Sequence, residues 1–182
     1  YIRSNKNWEL FMKRRIIIYL SILLIFTELV FSQKVNTGEK IMICAHPLAA
    51  KAGLKVFHEG GNVVDVAVAT AYALGVVEPY GSGIGGEGMM IIYQAKENKF
   101  IVIDFKAISP KGANYSTLDF KNLSSWSRTI KGASVPGAVA GLELALEKFG
   151  KIDRKKVIQP AIDYALNGFE VDSSLALNLI TY

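Results

Sequence analysis

Two short segments near the middle of this chain hold the residue types and spacings best suited to chemistry. Gly81-Ser-Gly-Ile-Gly-Gly86 has the G-x-G-x-x-G spacing of loops that bind the phosphates of a dinucleotide. Lys106 follows the mostly apolar run Phe100–Phe105, which predicts a cation at the end of a strand. A cation at such a place is suited to binding the carboxylate of a ligand.

The residues around the glycine-rich segment disfavour a nucleotide site. A dinucleotide-binding fingerprint needs a strand before the glycines and a helix after them, so that the phosphates meet the helix N-terminus. In this chain Glu78-Pro79 ends a helical stretch before the loop, and the β-rich run Met89–Tyr93 follows it. The glycines therefore predict a tight loop beside a buried hairpin, with the floor of a substrate pocket as the functional alternative.

The histidines and the cysteine predict neither a metal site nor a catalytic group. His46 and His58 are 12 residues apart, and no acidic residue stands at ligand spacing beside His46. Zinc sites take three or four protein ligands, so this pair is insufficient. Cys44 has apolar neighbours on both sides, which predicts a buried thiol. We therefore predict no metal and no cofactor.

Two helices are predicted before the glycine-rich loop. Pro47 is suited to the first turn of a helix, and Gly60-Gly61 ends that helix. Asn62 and Asp65 have the spacing of a capping pair for a second helix, which runs to about Leu74. The second helix is rich in alanine, so other backbones can approach it closely, and we expect it to be core scaffold.

A β-hairpin and further helices follow the loop. Met89–Phe105 predicts two apolar strands joined by the polar turn Lys96–Lys99. From Pro136 the chain returns to a helical pattern, with breaks at Phe149-Gly150 and near Asn167-Gly168. Helices on both sides of a hairpin indicate a layered α+β fold.

The net charge of +5 is unevenly distributed along the chain. Residues 1–32 hold five of the 21 basic residues and two of the 16 acidic ones, which leaves 16 bases and 14 acids, a net charge of +2, over the rest. No basic cluster interleaved with aromatic residues occurs in that remainder. Nucleic acid is therefore not an expected partner.

The N-terminal segment has the organisation of a secretory signal. Lys13-Arg14-Arg15 precedes an apolar run, and Ser32 is a small residue next to a candidate cleavage site. Residues 12–32 are therefore predicted to be a cleaved signal peptide, with a membrane anchor as the alternative. A spanning helix needs about 20 apolar residues, and Glu28 interrupts this run, which favours cleavage.

The segments next to the signal are interpreted from their composition. The chain begins with Tyr1 and not with Met, and a translation start at Met12 gives a compact signal. Residues 1–11 are therefore a candidate gene-prediction artefact. Residues 33–40 are a polar linker, which leaves residues 41–182 as the domain.

Two N-glycosylation sequons lie in a polar, loop-like stretch of this domain. They are Asn114-Tyr-Ser116 and Asn122-Leu-Ser124. Chance is the alternative explanation, because such triplets are common. Their use would agree with a secreted chain.

Several unusual short motifs occur in one order along the chain. They are Ala45-His-Pro-Leu-Ala49, Gly60-Gly-Asn-Val-Val-Asp65, Gly75-Val-Val-Glu-Pro79, Gly83-Ile-Gly-Gly-Glu-Gly88, Asp104-Phe-Lys106, Val135-Pro-Gly137, Lys148-Phe-Gly150, Val157-Ile-Gln-Pro-Ala161 and Asn167-Gly-Phe169. In this order they resemble the start of the heavy subunit of the γ-glutamyltransferase family. The resemblance covers nearly all of the chain after residue 40.

The resemblance implies a fold and a reaction. Members of this family are N-terminal-nucleophile hydrolases with a four-layer αββα sandwich, in which a precursor cuts itself and the freed threonine attacks a γ-glutamyl amide such as glutathione. That cut lies well beyond Tyr182. By resemblance, residues 41–182 are an incomplete domain that lacks the nucleophile half or light subunit, holds no catalytic residue and is inactive alone. The implied location is outside the cell or on the extracellular face of the plasma membrane.

The resemblance also implies that Lys106 binds substrate. The family has Asp-Phe-Arg-Glu where this chain has Asp104-Phe-Lys-Ala107, and the family's arginine pairs with the α-carboxylate of the glutamyl group. Lys106 supplies the charge but not the two parallel N–H donors of a guanidinium. The family also usually has a glycine in place of Glu87, which is expected to be a solvated acid.

These departures leave two alternatives to a γ-glutamyltransferase. One is a related acylase of the same fold with another substrate, and the other is a non-catalytic secreted paralogue. For Lys106 itself, the alternative to a carboxylate-binding role is a solvated lysine at a strand end.

Overall fold

The computed structural model describes residues 12–19, 40–113 and 130–181. The predicted cleavage near Ser32, nearly all of the linker 33–40 and the sequons at Asn114 and Asn122 lie outside these residues. They therefore stay predictions.

The described residues divide between two units, Tyr1–Ile41 and Met42–Tyr182. In the first unit, residues 12–19 are helical and exposed. Within the described parts of both units, no helix has the length and apolar character that crossing a bilayer requires.

The described part of the second unit contains five α-helices, a β-hairpin and a short 3₁₀ turn. In chain order the elements are α1 (Pro47–His58), α2 (Val63–Val77), β1 (Gly88–Gln94), β2 (Lys99–Phe105), the 3₁₀ turn Ile130–Gly132, α3 (Ala138–Phe149), α4 (Arg154–Asn167) and α5 (Ser173–Thr181). Helices before and after one hairpin confirm the predicted α+β class.

The predicted starts of the first two helices and the predicted end of the first one are confirmed. Pro47 is the first residue of α1, and Gly60 follows the helix with a left-handed φ of 94°. The Asn62 side chain accepts hydrogen bonds from the first turn of α2, and Asp65 accepts one from the Asn62 N–H, so the capping box is present. α2 ends at Val77, about one turn later than predicted.

The core is built around α2. One buried cluster joins α2 to both strands and to α1, α3 and α4, and comprises Val56, Val64, Val68, Ala69, Ile92, Ile103, Leu142, Ala145 and Val157. A second cluster joins the end of α2 to α1 and α4, and comprises Ala49, Ala52, Ala73, Val77 and Ala161. The small side chains of α2 allow this close packing, and α2 is core scaffold as predicted.

The predicted hairpin is confirmed, with a correction to its turn. Gln94 pairs with Lys99, so the turn is residues 95–98 and not Lys96–Lys99. Asn98 ends the turn with a φ of 50°, in the left-handed region that asparagine tolerates better than most residues. Lys99 therefore belongs to β2.

The two faces of the hairpin have different surroundings. The inner face packs against the core through Met90, Ile92, Ile101 and Ile103. The outer face carries Ile91, Tyr93, Phe100 and Val102, each more than half exposed in the described structure. On this outer face the rings of Tyr93 and Phe100 lie 4.8 Å apart. An apolar sheet face of this kind is typical of a surface that another element covers.

A buried carboxylate joins the start of α2 to the end of α3. Asp65 is fully buried and accepts hydrogen bonds from the backbone N–H groups of Asn62 (2.8 Å) and Lys151 (3.0 Å). The Asn62 side chain donates to the carbonyl of Phe149 at 2.7 Å. Gly150 lies between these contacts, where a Cβ would be 2.9 Å from Asp65 Oδ1. The Gly-Gly-Asn-x-x-Asp motif and the Lys-Phe-Gly motif therefore contact each other in the fold.

Candidate functional site

Lys106 lies immediately after β2, at the strand end that the sequence predicts. Its backbone N–H donates to Asp104 Oδ1 at 3.0 Å. The side chain of Phe105 turns toward α3, where the absence of a side chain at Gly141 makes room for the ring. Because side chains alternate along an extended chain, the Lys106 side chain points outward and is 58% exposed.

Glu87 contacts Lys106 across the open end of the hairpin. Glu87 Oε1 lies 3.2 Å from Lys106 Nζ, and Glu87 Oε2 accepts a hydrogen bond of 2.7 Å from the N–H of Ala107. Glu87 is exposed, as expected for a solvated acid, and in addition it is bound to the residues that follow β2. The signal that could have found this contact is the hairpin register, because Gly88 pairs with Phe105 and the next residues outward are Glu87 and Lys106.

The hydrogen bonds of Glu87 lower its pKa. The main cause is the backbone N–H of Ala107, and the second is the Lys106 ammonium. Both stabilise the carboxylate form, so Glu87 is ionised at neutral pH and forms with Lys106 a pair without net charge. Since both side chains are exposed, the pair adds little to the stability of the fold.

A cavity of about 600 Å³ lies beside the glycine-rich loop. The loop from Pro79 to Met89 forms one wall, and residues of α2, α3 and Phe105 form the other. Within the described structure, Glu87 is the one charged side chain in the lining. Lys106 does not line the cavity itself, but its side chain contacts Glu87, which does.

Hydrogen bonds attach the end of the glycine-rich loop to the start of α3, whereas the earlier part of the loop is exposed. The carbonyl of Gly86 accepts hydrogen bonds from Gly137 N–H (3.2 Å) and Ala138 N–H (3.1 Å). Gly83 and Gly85 lie outside the left-handed region, and a Cβ at either position would meet no atom within 4 Å. The described fold thus gives no reason for glycine there. Exposed backbone of this kind suits the close approach of a ligand or of another part of the protein.

His46 has a structural role that the sequence analysis missed. It is 5% exposed and caps α1, with Nδ1 accepting a hydrogen bond of 3.1 Å from Leu48 N–H. Its other nitrogen, Nε2, lies 3.5 Å from Asp172 Oδ2. His58 is exposed at the far end of α1, so the fold does not bring the histidines together. Among the described residues, no three His, Cys, Asp or Glu side chains converge as a metal site.

Cys44 is half-buried, where the sequence predicts a buried thiol. Its Sγ donates to the carbonyl of His46 at 3.3 Å, and its side chain packs against the α1–α2–α4 cluster. The short stretch before α1 lies at the edge of the core, which explains the partial exposure.

Comparison with known proteins identifies the family. A model of the gamma-glutamyltranspeptidase family matches residues 49–181, more than half of the chain. The chain belongs to this family.

Three relatives of the gamma-glutamyltranspeptidase family illustrate the similarity. The chain is 40% identical to the glutathione hydrolase proenzyme of Bacillus subtilis, over 82% of this chain and 27% of that protein. It is 40% identical to the capsule biosynthesis protein CapD proenzyme of Bacillus anthracis, over 74% of this chain and 23% of that protein. The solved gamma-glutamyltranspeptidase of Helicobacter pylori matches with 36% identity and a TM-score of 0.74, over 82% of this chain and 44% of that chain. The chain spans about a quarter of the length of these curated relatives.

The segment that matches the gamma-glutamyltranspeptidase family contains the cavity and the charged pair described above. The glycine-rich loop, Glu87 and Lys106 all lie inside residues 49–181, as do Asp65 and Lys151. The cap residue His46 lies just before the matched segment.

Proposed function

We propose that this sequence is the N-terminal part of a secretory-pathway γ-glutamyltransferase or glutathione hydrolase. Its reaction is the transfer of the γ-glutamyl group of glutathione or a related amide to an amino acid, a peptide or water. The observation that carries this proposal is the place of Lys106 in a chain of this family. It is a cation at the end of β2, and its partner Glu87 lines the cavity of the glycine-rich loop.

In this proposal, residues 41–182 bind the donor and the rest of a precursor supplies the nucleophile. The Lys106 ammonium binds the α-carboxylate, and the glycine-rich loop forms the floor of the pocket. A threonine outside residues 1–182 attacks the γ-carbonyl carbon, and its own α-amine takes the hydroxyl proton. The amide C–N bond breaks, the amine leaves with a proton, and an acyl ester remains. Water or an acceptor amine then attacks the ester and releases the γ-glutamyl product.

The outer face of the hairpin supports the proposal that this domain is completed by further sequence. Its apolar side chains are exposed in the described structure, although such faces are normally covered. A second sheet on this face would complete the four-layer αββα sandwich. The partner is then the C-terminal half or light subunit, and residues 41–182 alone are inactive.

The proposed location follows from the N-terminal segment. A signal at residues 12–32 would direct the protein to the cell exterior or to the extracellular face of the plasma membrane. Mass spectrometry of the chain expressed from Met12 in a secretory host should find cleavage near Ser32. An intact N-terminus on a membrane-bound product would instead support the anchor.

Two other functions remain alternatives for this chain. The relative from Bacillus anthracis is as identical as the glutathione hydrolase but is named for capsule biosynthesis, so this identity does not fix the substrate. A related acylase of the same fold is therefore one alternative, and a non-catalytic secreted paralogue is the other. Both alternatives are considered because Lys106 has a positive charge but lacks the two parallel N–H donors of a guanidinium.

A chimera tests the proposed reaction. In this protein, called the chimera below, residues 41–182 replace the matching segment of the Bacillus subtilis glutathione hydrolase proenzyme. We expect it to release p-nitroaniline from γ-glutamyl-p-nitroanilide, and faster when a dipeptide acceptor is present. Glutaryl-p-nitroanilide, which lacks only the α-amino group, is the matched control. Preferential turnover of the glutaryl compound would support the acylase, and a folded chimera that cleaves neither compound would support the paralogue.

A further inference from the structure

The backbone of the hairpin places Glu87 and Lys106 opposite each other. Gly88 and Phe105 are the last paired residues at the open end of β1 and β2. The next residue on each side is a charged one, and Glu87 Oε1 lies 3.2 Å from Lys106 Nζ. The contact is therefore a consequence of the strand register and does not depend on the chance meeting of two long side chains.

Glu87 is also held by a second contact. Its Oε2 accepts a hydrogen bond of 2.7 Å from the backbone N–H of Ala107, so both carboxylate oxygens are bound to the residues that follow β2. The side chains of Glu87 and Lys106 nevertheless remain 44% and 58% exposed. Glu87 lines the adjacent cavity and Lys106 lies next to Glu87, so a ligand whose carboxylate reaches Lys106 also comes close to the Glu87 carboxylate.

The pair changes what Lys106 offers to an anionic ligand. An ammonium has three N–H donors, and one of them points at Glu87. A ligand carboxylate that accepts from another donor, at about 2.8 Å, would lie no more than about 6 Å from Glu87 Oε1. Two carboxylates at this separation repel each other, which weakens the attraction that Lys106 alone would provide.

We propose that Glu87 is a specificity-determining residue that weakens the binding of donors with a free α-carboxylate and so reduces the preference of Lys106 for them over γ-glutamyl compounds whose α-carboxyl group is uncharged, such as an amide. The inference rests on the proposed function, because it takes the γ-glutamyl group as the part that all donors share. The low pKa of Glu87 keeps its carboxylate ionised, so the discrimination is present at neutral pH.

Two donors that differ only in this charge test the inference in the chimera. They are γ-glutamyl-p-nitroanilide and its α-carboxamide. Glu87→Gln removes the charge but keeps an oxygen that can accept from Ala107 N–H. We expect the ratio of kcat/KM for the charged donor to kcat/KM for the uncharged donor to rise about twofold to fivefold. The rise should come from a lower KM for the charged donor. Glu97→Gln, in the exposed turn of the hairpin, is the matched control and should leave the ratio unchanged.

Binding without turnover gives a second readout. Calorimetry with L-glutamate and its α-amide should show the same change in the ratio of the two Kd values for Glu87→Gln. An unchanged ratio in that variant would overturn the inference. A chimera that binds these compounds with the expected ratio but releases no p-nitroaniline would contradict the proposed function alone.

Discussion

The buried carboxylate of Asp65 accepts a hydrogen bond of 3.0 Å from the backbone N–H of Lys151, 86 residues further along the chain. The same side chain completes the capping box of α2 by accepting from Asn62 N–H. Because Asp65 is fully buried, water cannot replace either bond. One acidic residue therefore fixes both the start of α2 and the path of the chain after α3.

Replacement of Asp65 should destabilise the fold strongly. Asp65→Ala leaves two backbone N–H groups without their acceptor, and we expect it to lower the free energy of unfolding by about 3 kcal/mol or more. Denaturant unfolding of the chimera, followed by circular dichroism, measures the change. Asp163→Ala, which removes an exposed partner of Lys55, is the control and should cost less than about 1 kcal/mol. Equal losses in the two variants would contradict this account.

The cap formed by His46 should be replaceable by another hydrogen-bond acceptor. His46→Ala removes the acceptor for Leu48 N–H and should lower the free energy of unfolding by about 0.5 to 2 kcal/mol. His46→Asn supplies an oxygen at the N-cap and should recover part of this loss. His58→Ala, at the exposed end of α1, should have little effect. If His46→Ala unfolds at the same denaturant concentration as the parent, the hydrogen bond from Leu48 N–H to His46 does not stabilise the fold.

Tyr72 gives the fold a dependence on alkaline pH. Its hydroxyl donates to Glu143 Oε1 at 2.8 Å, and burial followed by this contact raises the pKa of Tyr72 to about 12 from its ordinary 10.0. Since the folded pKa lies above the unfolded one, the stabilisation is fully present below pH 10 and is lost as the pH rises toward 12.

Tyr72→Phe tests this dependence. At neutral pH the variant should be less stable than the parent by about 1 kcal/mol, the usual net value of one hydrogen bond. This difference should shrink as the pH passes 10, because the tyrosine then ionises in the unfolded parent while it stays protonated in the fold, and phenylalanine has no such ionisation. Unfolding of the chimera as a function of pH is the measurement. Tyr93→Phe, at an exposed tyrosine, is the control, and a constant difference at all pH values for Tyr72→Phe would refute the assignment.

Residues 33–182 expressed alone should fold poorly and self-associate. The outer face of the hairpin exposes several large apolar side chains, among them Ile91, Tyr93, Phe100 and Val102, and the two strands have open edges in the described structure. Size-exclusion chromatography checks the association, which Val102→Lys on this face should reduce and Lys96→Arg in the turn should not. A monodisperse monomer with a cooperative thermal transition would argue against this expectation.

The features that the sequence predicts correctly depend on local signals. The first turn of α1 follows from Pro47, the capping box from Asn62 and Asp65, and the hairpin from two apolar runs around a polar turn. Each of these signals acts within a few residues, so it can be recognised in the sequence without knowledge of the rest of the fold.

The features that were missed depend on contacts between distant residues or on a small shift in register. The predicted turn was displaced by one residue, and this displacement moves Glu87 away from its place opposite Lys106. Likewise, the bond from Lys151 N–H to Asp65 and the approach of Asp172 to His46 arise only when separate helices pack. Periodicity and capping patterns contain no information about such contacts.

The role of Lys106 in donor binding is the central claim, and substitutions of this residue in the chimera test it most directly. Steady-state kinetics with γ-glutamyl-p-nitroanilide are the measurement. Lys106→Ala should lower kcat/KM by about ten- to a hundredfold, because one charge-assisted contact is lost. Lys106→Arg should lower KM, since a guanidinium offers two parallel N–H donors. Lys99→Ala, at the other end of β2, should leave both constants unchanged, whereas a Lys106→Ala variant as active as the parent would show that Lys106 is only a solvated lysine at a strand end.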